Sequence, residues 1–151
     1  MIPRILKQGH YKLQDLHMGD VIETGSCLIT SDLIDSFANL SGDQFEIHIN
    51  ESAAQAHGFS NRVAHGLLIL SLIDGLKNQA PAQLSAIASL GWDWKFSAPV
   101  FVGDEVTATF TIIDLKKTSN LERGIVTLDI KVQNQQNKTV QHGINYLMIY
   151  L

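Results

Sequence analysis

Two short stretches of this chain carry the residue types that move protons. The first reads Ser41-Gly42-Asp43-Gln44-Phe45-Glu46-Ile47-His48-Ile49-Asn50, the second Arg62-Val63-Ala64-His65-Gly66-Leu67-Leu68. An aspartate and a histidine five positions apart in a loop could converge on one water. The carboxylate would hold and orient it, and an imidazole that titrates near neutrality would take or give the proton. The spacing alone fits a plainer reading better: Asp43 closes a turn on its own backbone after Gly42, and His48 is a loop residue. Gly66 adds a second component, because it lies where a helix begins, among unpartnered N–H groups at the positive end of the dipole. Lacking a side chain, it would let a carbonyl oxygen approach its N–H and so hold the oxyanion of a thioester enolate. Its plainer reading is a glycine that permits tight helix–sheet packing. His65 reads as a supporting or packing residue. His10, His17, His57 and His142 show no metal-ligand spacing, and no metal site is expected.

These residues need elements to hold them. Asp20 to Thr30 reads as a first strand, weakened in its middle by Gly25. Thr30 or Ser31 can cap the helix that follows, and Asp32 and Asp35 favour its positive end. Leu33, Phe37 and Leu40, with Ile34 and Ala38, give that helix an apolar stripe, and Gly42 can end it. Asn50 and Gly58 bracket a short second helix, Glu51 to His57. A third runs from about Ala64 to Lys77 and is apolar on every side, which predicts a helix buried all round. The wrapping material follows it. Ala86 to Phe96 reads as a strand, and Glu105 to Ile112 alternates Val106, Ala108, Phe110 and Ile112 with polar residues. Val126, Leu128, Ile130 and Val132 alternate likewise, and Val140 to Tyr150 supplies the last strand. The expectation is one α+β domain over residues 1–151, a curved antiparallel sheet wrapped around the central apolar helix.

Composition narrows the classes. With 151 residues, 45% hydrophobic and 17% charged, the chain is no disordered tail. Eleven Lys and Arg against 15 Asp and Glu give a formal charge of -4, the wrong sign for a nucleic-acid binder. The single cysteine, Cys27, excludes an intrachain disulfide and an all-cysteine zinc site. The stretch from Val63 to Leu76 is broken by His65, Ser71 and Asp74 and falls short of the roughly 20 residues a span needs. The N-terminus has no apolar run of signal-peptide length. A soluble cytoplasmic protein without membrane partners is expected.

Taken together, Ser41-Gly42-Asp43, His48 and Ala64-His65-Gly66-Leu67 resemble the motif of the R-specific enoyl-CoA hydratases and the wider MaoC-like dehydratase family. Lys95-Phe96, Pro99-Val100 and Gly103-Asp104 resemble the strand and turn that follow in that family. The resemblance covers about two thirds of the chain and implies the hotdog fold. It implies that Asp43 and His48 activate a water and that the Gly66 N–H binds the thioester oxygen. It also implies a homodimer or an oligomer of dimers, with coenzyme A present only as part of the substrate and no separate cofactor. Arg62 and Lys95 are candidates for the coenzyme A phosphates.

Two departures stand out. The family's Asn-Pro between the catalytic pair is Phe45-Glu46 here, which resembles the hydratase domain of the phenylacetate-degradation ring-opening enzymes. A ring at Phe45 would line the acyl pocket or pack beneath the loop. Asp74 stands where relatives often carry a serine that hydrogen-bonds the catalytic aspartate. It would share a proton with Asp43, or else reach solvent at the helix end. Three functions stay open: a hydratase or dehydratase, a hotdog thioesterase, and a non-catalytic acyl-CoA-binding partner subunit.

Overall fold

The computed structural model describes residues 2–151, so Met1 of the N-terminal segment lies outside the described residues. The strands are β1 (Gly9–Tyr11), β2 (Val21–Glu23), β3 (Cys27–Leu28), β4 (Ala82–Leu84), β5 (Ala86–Phe96), β6 (Glu105–Lys117), β7 (Arg123–Gln133) and β8 (Thr139–Tyr150). The helices are α1 (Ser31–Ser41), α2 (Glu46–Ile49), α3 (Glu51–Ala56) and α4 (Gly66–Gln79). The main sheet is antiparallel in the order β2-β6-β7-β8-β5, with β3 continuing along β6. This is the hotdog arrangement: a long sheet curved around α4.

The alternation read from the sequence is what builds the inner face. Val106, Ala108, Phe110 and Ile112 of β6 and Val126, Leu128, Ile130 and Val132 of β7 are all buried. They form one core with Leu68, Ile69, Ile73 and Leu76 of α4. Thr30 caps α1 by accepting the Leu33 N–H at 3.1 Å, and Gly42 ends it in the left-handed conformation, φ 80°.

The structure corrects several expectations. The strand expected over Asp20 to Thr30 is two short pieces, because the chain breaks from the ladder around Gly25. A strand earlier than any expected, β1, pairs in parallel with β4. Leu40 is exposed, since it sits off the face that carries Ile34 and Ala38. Helix α4 is not buried all round: Leu67 is 61% exposed and Ser71 is also open, because the sheet covers the helix from one side only. No helix among the described residues is long and apolar enough to cross a membrane.

Candidate active site

The site forms where α1 ends, α2 turns, α4 begins and β5 finishes. After Gly42 the chain turns sharply, with the Asp43 N–H donated to Ser41 Oγ and the Phe45 N–H donated to Asp43 Oδ1 at 3.2 Å. The plain turn reading of Asp43 is therefore correct. It also leaves the second carboxylate oxygen free in an exposed position. His48 does not lie in a loop, as expected, but on the short helix α2, and it is buried. Its Nδ1 lies 2.6 Å from the Val63 carbonyl, which can only accept, so Nδ1 carries the hydrogen and Nε2 the lone pair.

His65 is 2% exposed, at the N-cap position of α4. Its Nε2 donates to the backbone carbonyl of Asp43 at 2.9 Å, while its Nδ1 is buried without a partner. The ring packs edge-on against Phe37 of α1 and stacks on His48, with centroids 3.8 Å apart and planes 24° apart. Burial pushes the His48 pKa below its ordinary value, and the nearby His65 and Arg62 add to that. The Val63 carbonyl and Asp43 oppose it without reversing the direction. The balance favours the neutral ring.

Asp43, His48 and His65 each offer a donor atom, and the three atoms lie within 4.8 Å of one another. That is metal-like proximity, which the sequence spacing did not suggest. A metal, however, bonds an imidazole along its in-plane lone pair at about 2.0–2.1 Å. Two rings stacked face to face keep their lone pairs in separate, nearly parallel planes, so one ion cannot lie in both. A water between the Asp43 carboxylate and His48 Nε2 needs no such convergence.

Gly66 opens α4, so its N–H is among those with no intrahelical acceptor. A Cβ built on Gly66 would clash with the ring of Phe96, so the packing reading of this glycine is also true. Its carbonyl is fixed by Gln141, whose Nε2 donates to it at 3.1 Å while Oε1 accepts the Trp94 indole N–H at 2.8 Å. Two clefts meet here. One, of about 330 Å³, is lined chiefly by Phe59, Val63, Ala98, Pro99 and Val100. The other, of about 320 Å³, touches Phe37, Asp43, His65 and Leu67. Both reach His48, Gly66 and Phe96. A larger hollow of about 540 Å³ lies at Pro3, Arg4, Met18 and Val21 and holds none of these groups.

Five further expectations shift. Arg62 does not offer a free charge to phosphate. Its Nε donates to the His48 carbonyl at 2.6 Å and it pairs with Asp35 of α1, which makes it a strut beneath α2. Lys95 points away from the site, because Phe96 beside it points in and strand residues alternate. It lies with Asp93, Asp129 and His142 on the outer face. Asp74 sits eight residues beyond Gly66, about 12 Å along the helix axis. Its Oδ1 is 2.9 Å from Lys77 Nζ, a charge contact without hydrogen-bond alignment, rather than beside Asp43. Phe45, 53% exposed, is not core; it stands against the edges of His48 and His57 at the lip, outside both cleft linings. His57, read as incidental, pairs there with Glu46 at 2.7 Å.

Phe96 and Gln141 have no role in the sequence reading. They are paired residues on neighbouring strands, 45 positions apart, and only the β5–β8 register brings both to the helix end.

Known proteins share this fold. The model of the MaoC like domain matches residues 15–134. The chain is 37% identical over 109 residues to an (R)-specific enoyl-CoA hydratase of Rhodospirillum rubrum, covering 70% of this chain and 72% of that protein. The solved (R)-hydratase of A. caviae, described as involved in PHA biosynthesis, superposes with a TM-score of 0.76 at 30% identity, over 89% of this chain and 97% of that one. A Mycobacterium tuberculosis protein with a double hotdog fold matches at TM-score 0.80 and 16% identity, over 93% of this chain and 44% of that one, which speaks to fold alone. With the fold and the family match in agreement, this chain belongs to the MaoC-like domain family and is an enzyme of its hydratase and dehydratase kind.

Proposed function

We propose that the protein catalyses the reversible hydration of a trans-2-enoyl-CoA to an (R)-3-hydroxyacyl-CoA at Asp43, His48 and Gly66. The observation that carries this reading is the gathering of an Asp43 carboxylate oxygen and a His48 ring nitrogen within 4.8 Å, with the His48 tautomer fixed by the Val63 carbonyl. Both groups are acceptors, so each can take one O–H of a single water and leave an oxygen lone pair for C3. The oxygen–C3 bond forms as the C2–C3 π pair moves toward C2 and the thioester oxygen. The Gly66 N–H stabilises that oxygen while it carries charge. The water loses one proton to the pair and C2 gains one from it, so the enzyme ends as it began. In the dehydration direction the same steps reverse.

The absence of a cationic side chain from the 330 Å³ cleft supports a hydrocarbon acyl group. Support for a homodimer comes from β5, which ends the sheet with one edge unpaired, and from the open side of α4. The decisive experiment mixes the protein with crotonyl-CoA and follows enoyl absorbance and free thiol together. Loss of absorbance without thiol is expected. Thiol release would make it a thioesterase, and no change with any acyl-CoA of a panel would leave only binding.

A further inference from the structure

A substrate that reacts at His48 and Gly66 has two ends, an acyl tail and a pantetheine arm, and they must leave in different directions. The two clefts that meet at His48 and Gly66 provide those directions. The remaining residue common to both is Phe96, whose ring fills the place where Gly66 has no Cβ. Its backbone is fixed, because Phe96 pairs with Gln141 across β5 and β8 and the next N–H, of Ser97, is donated to the Val140 carbonyl at 2.9 Å. Its ring is not: Phe96 is 56% exposed, held on the Gly66 side and open on the other.

We propose that Phe96 is the specificity-determining residue of this site, a partition between the two clefts that limits the acyl group able to sit past Gly66. The inference rests on the hydratase reading for its chemistry. The apolar cleft lined by Phe59, Val63, Ala98, Pro99 and Val100 takes the tail, since nothing charged lines it. With the ring in place, the tail enters alongside Phe96 and short unbranched acyl groups fit best. With the ring removed, the two clefts merge at Gly66 and longer or branched tails gain room. The role expected of Phe45 from the sequence thus falls to Phe96.

The same geometry gives Gly66 a testable partner. Gly66→Ala keeps the backbone N–H but sets a methyl group against the Phe96 ring, so its cost depends on that ring. In a Phe96→Ala background the three ring atoms nearest that methyl are gone. The two substitutions are coupled, and a double-mutant cycle reads the coupling directly.

The experiment measures kcat/KM for enoyl-CoAs of four, eight and twelve carbons and one branched enoyl-CoA, on wild type, Phe96→Leu and Phe96→Ala. Kd for the matching saturated acyl-CoAs is measured alongside, and melting temperatures show that each variant folds. The preference for long or branched over four-carbon substrates should rise at least about tenfold in Phe96→Ala, the scale on which a pocket discriminates one methylene. Phe96→Leu should fall between. Gly66→Ala should lower kcat/KM strongly alone and by less than about threefold in Phe96→Ala. An unchanged ranking in both kcat/KM and Kd, or an equal cost of Gly66→Ala in the two backgrounds, would overturn the proposal. Wild type that binds acyl-CoAs yet hydrates none would overturn the hydratase reading, and the Kd ranking would then judge Phe96 by itself.

Discussion

At the scale of single residues, Asp43 and His48, the pair of the proposed reaction, differ in environment. Asp43 is exposed and braced by its own turn, whereas His48 is buried and fixed by the Val63 carbonyl. Asp43→Asn and His48→Ala should each lower turnover by ~10²–10⁴ without unfolding the protein, and near wild-type hydration by either would remove the pair from the mechanism. The lowered His48 pKa sets the pH dependence. With the neutral ring as the proposed base, the acid limb of kcat/KM should fall below the ordinary histidine value of 6.5, and a limb above it would contradict a neutral buried base. Stability follows the same sign: the unfolded chain binds the proton more readily, so His48 withdraws stability as pH drops from about 6.5 toward its folded value. Arg62 offers a cleaner distinction. As a strut on the His48 carbonyl and Asp35, its replacement by Ala should lower kcat and the melting temperature while leaving KM for the CoA ester nearly unchanged. A rise in KM alone would return it to the phosphates.

At the scale of elements, the first turn of α4 is fastened to the sheet by one side chain. Gln141 joins the Trp94 indole to the Gly66 carbonyl, and Gly143 opposite Trp94 leaves room for the ring. Gln141→Leu leaves the half-buried Trp94 N–H without its acceptor and removes the tie to the Gly66 carbonyl, and urea unfolding should register a loss of about 1 kcal/mol. An unchanged midpoint would mean that water reaches both groups. The strands of the meander were legible in the sequence because their period of two is unbroken from Val106 to Ile112 and from Val126 to Val132. The chain order of Asp43, His48 and Gly66 was legible because they lie in two short motifs. What was not legible depends on pairing across the fold. The inward aim of Phe96, the outward aim of Lys95 and the seat of Gln141 follow from strand register. The fate of Arg62 and Asp74 depended on which opposite charge lay nearest, Asp35 for one and Lys77 for the other. Local spacing carries neither kind of information.

At the scale of the whole molecule, the sheet ends on a strand with one side unsatisfied. Among the described residues, strand β5 is hydrogen-bonded to β8 alone, and Leu90 and Phe96 along it are exposed. A second copy pairing along that edge would remove the liability, and sedimentation at micromolar concentration should find a dimer; a monomer would defeat this. The position of β8 has its own consequence. It is the last strand in the chain yet sits inside the sheet, between β7 and β5. While a ribosome is still making the segment from β6 to β8, β5 has been synthesised and has nowhere to go. Its apolar residues are then exposed beside the unpaired flank of β7. A chain stopped in the turn after Gln133 would carry two sticky flanks in place of one. The newborn protein therefore passes through its most aggregation-prone moment just before its final strand emerges, and slowing translation there should raise the insoluble fraction more than slowing it anywhere earlier.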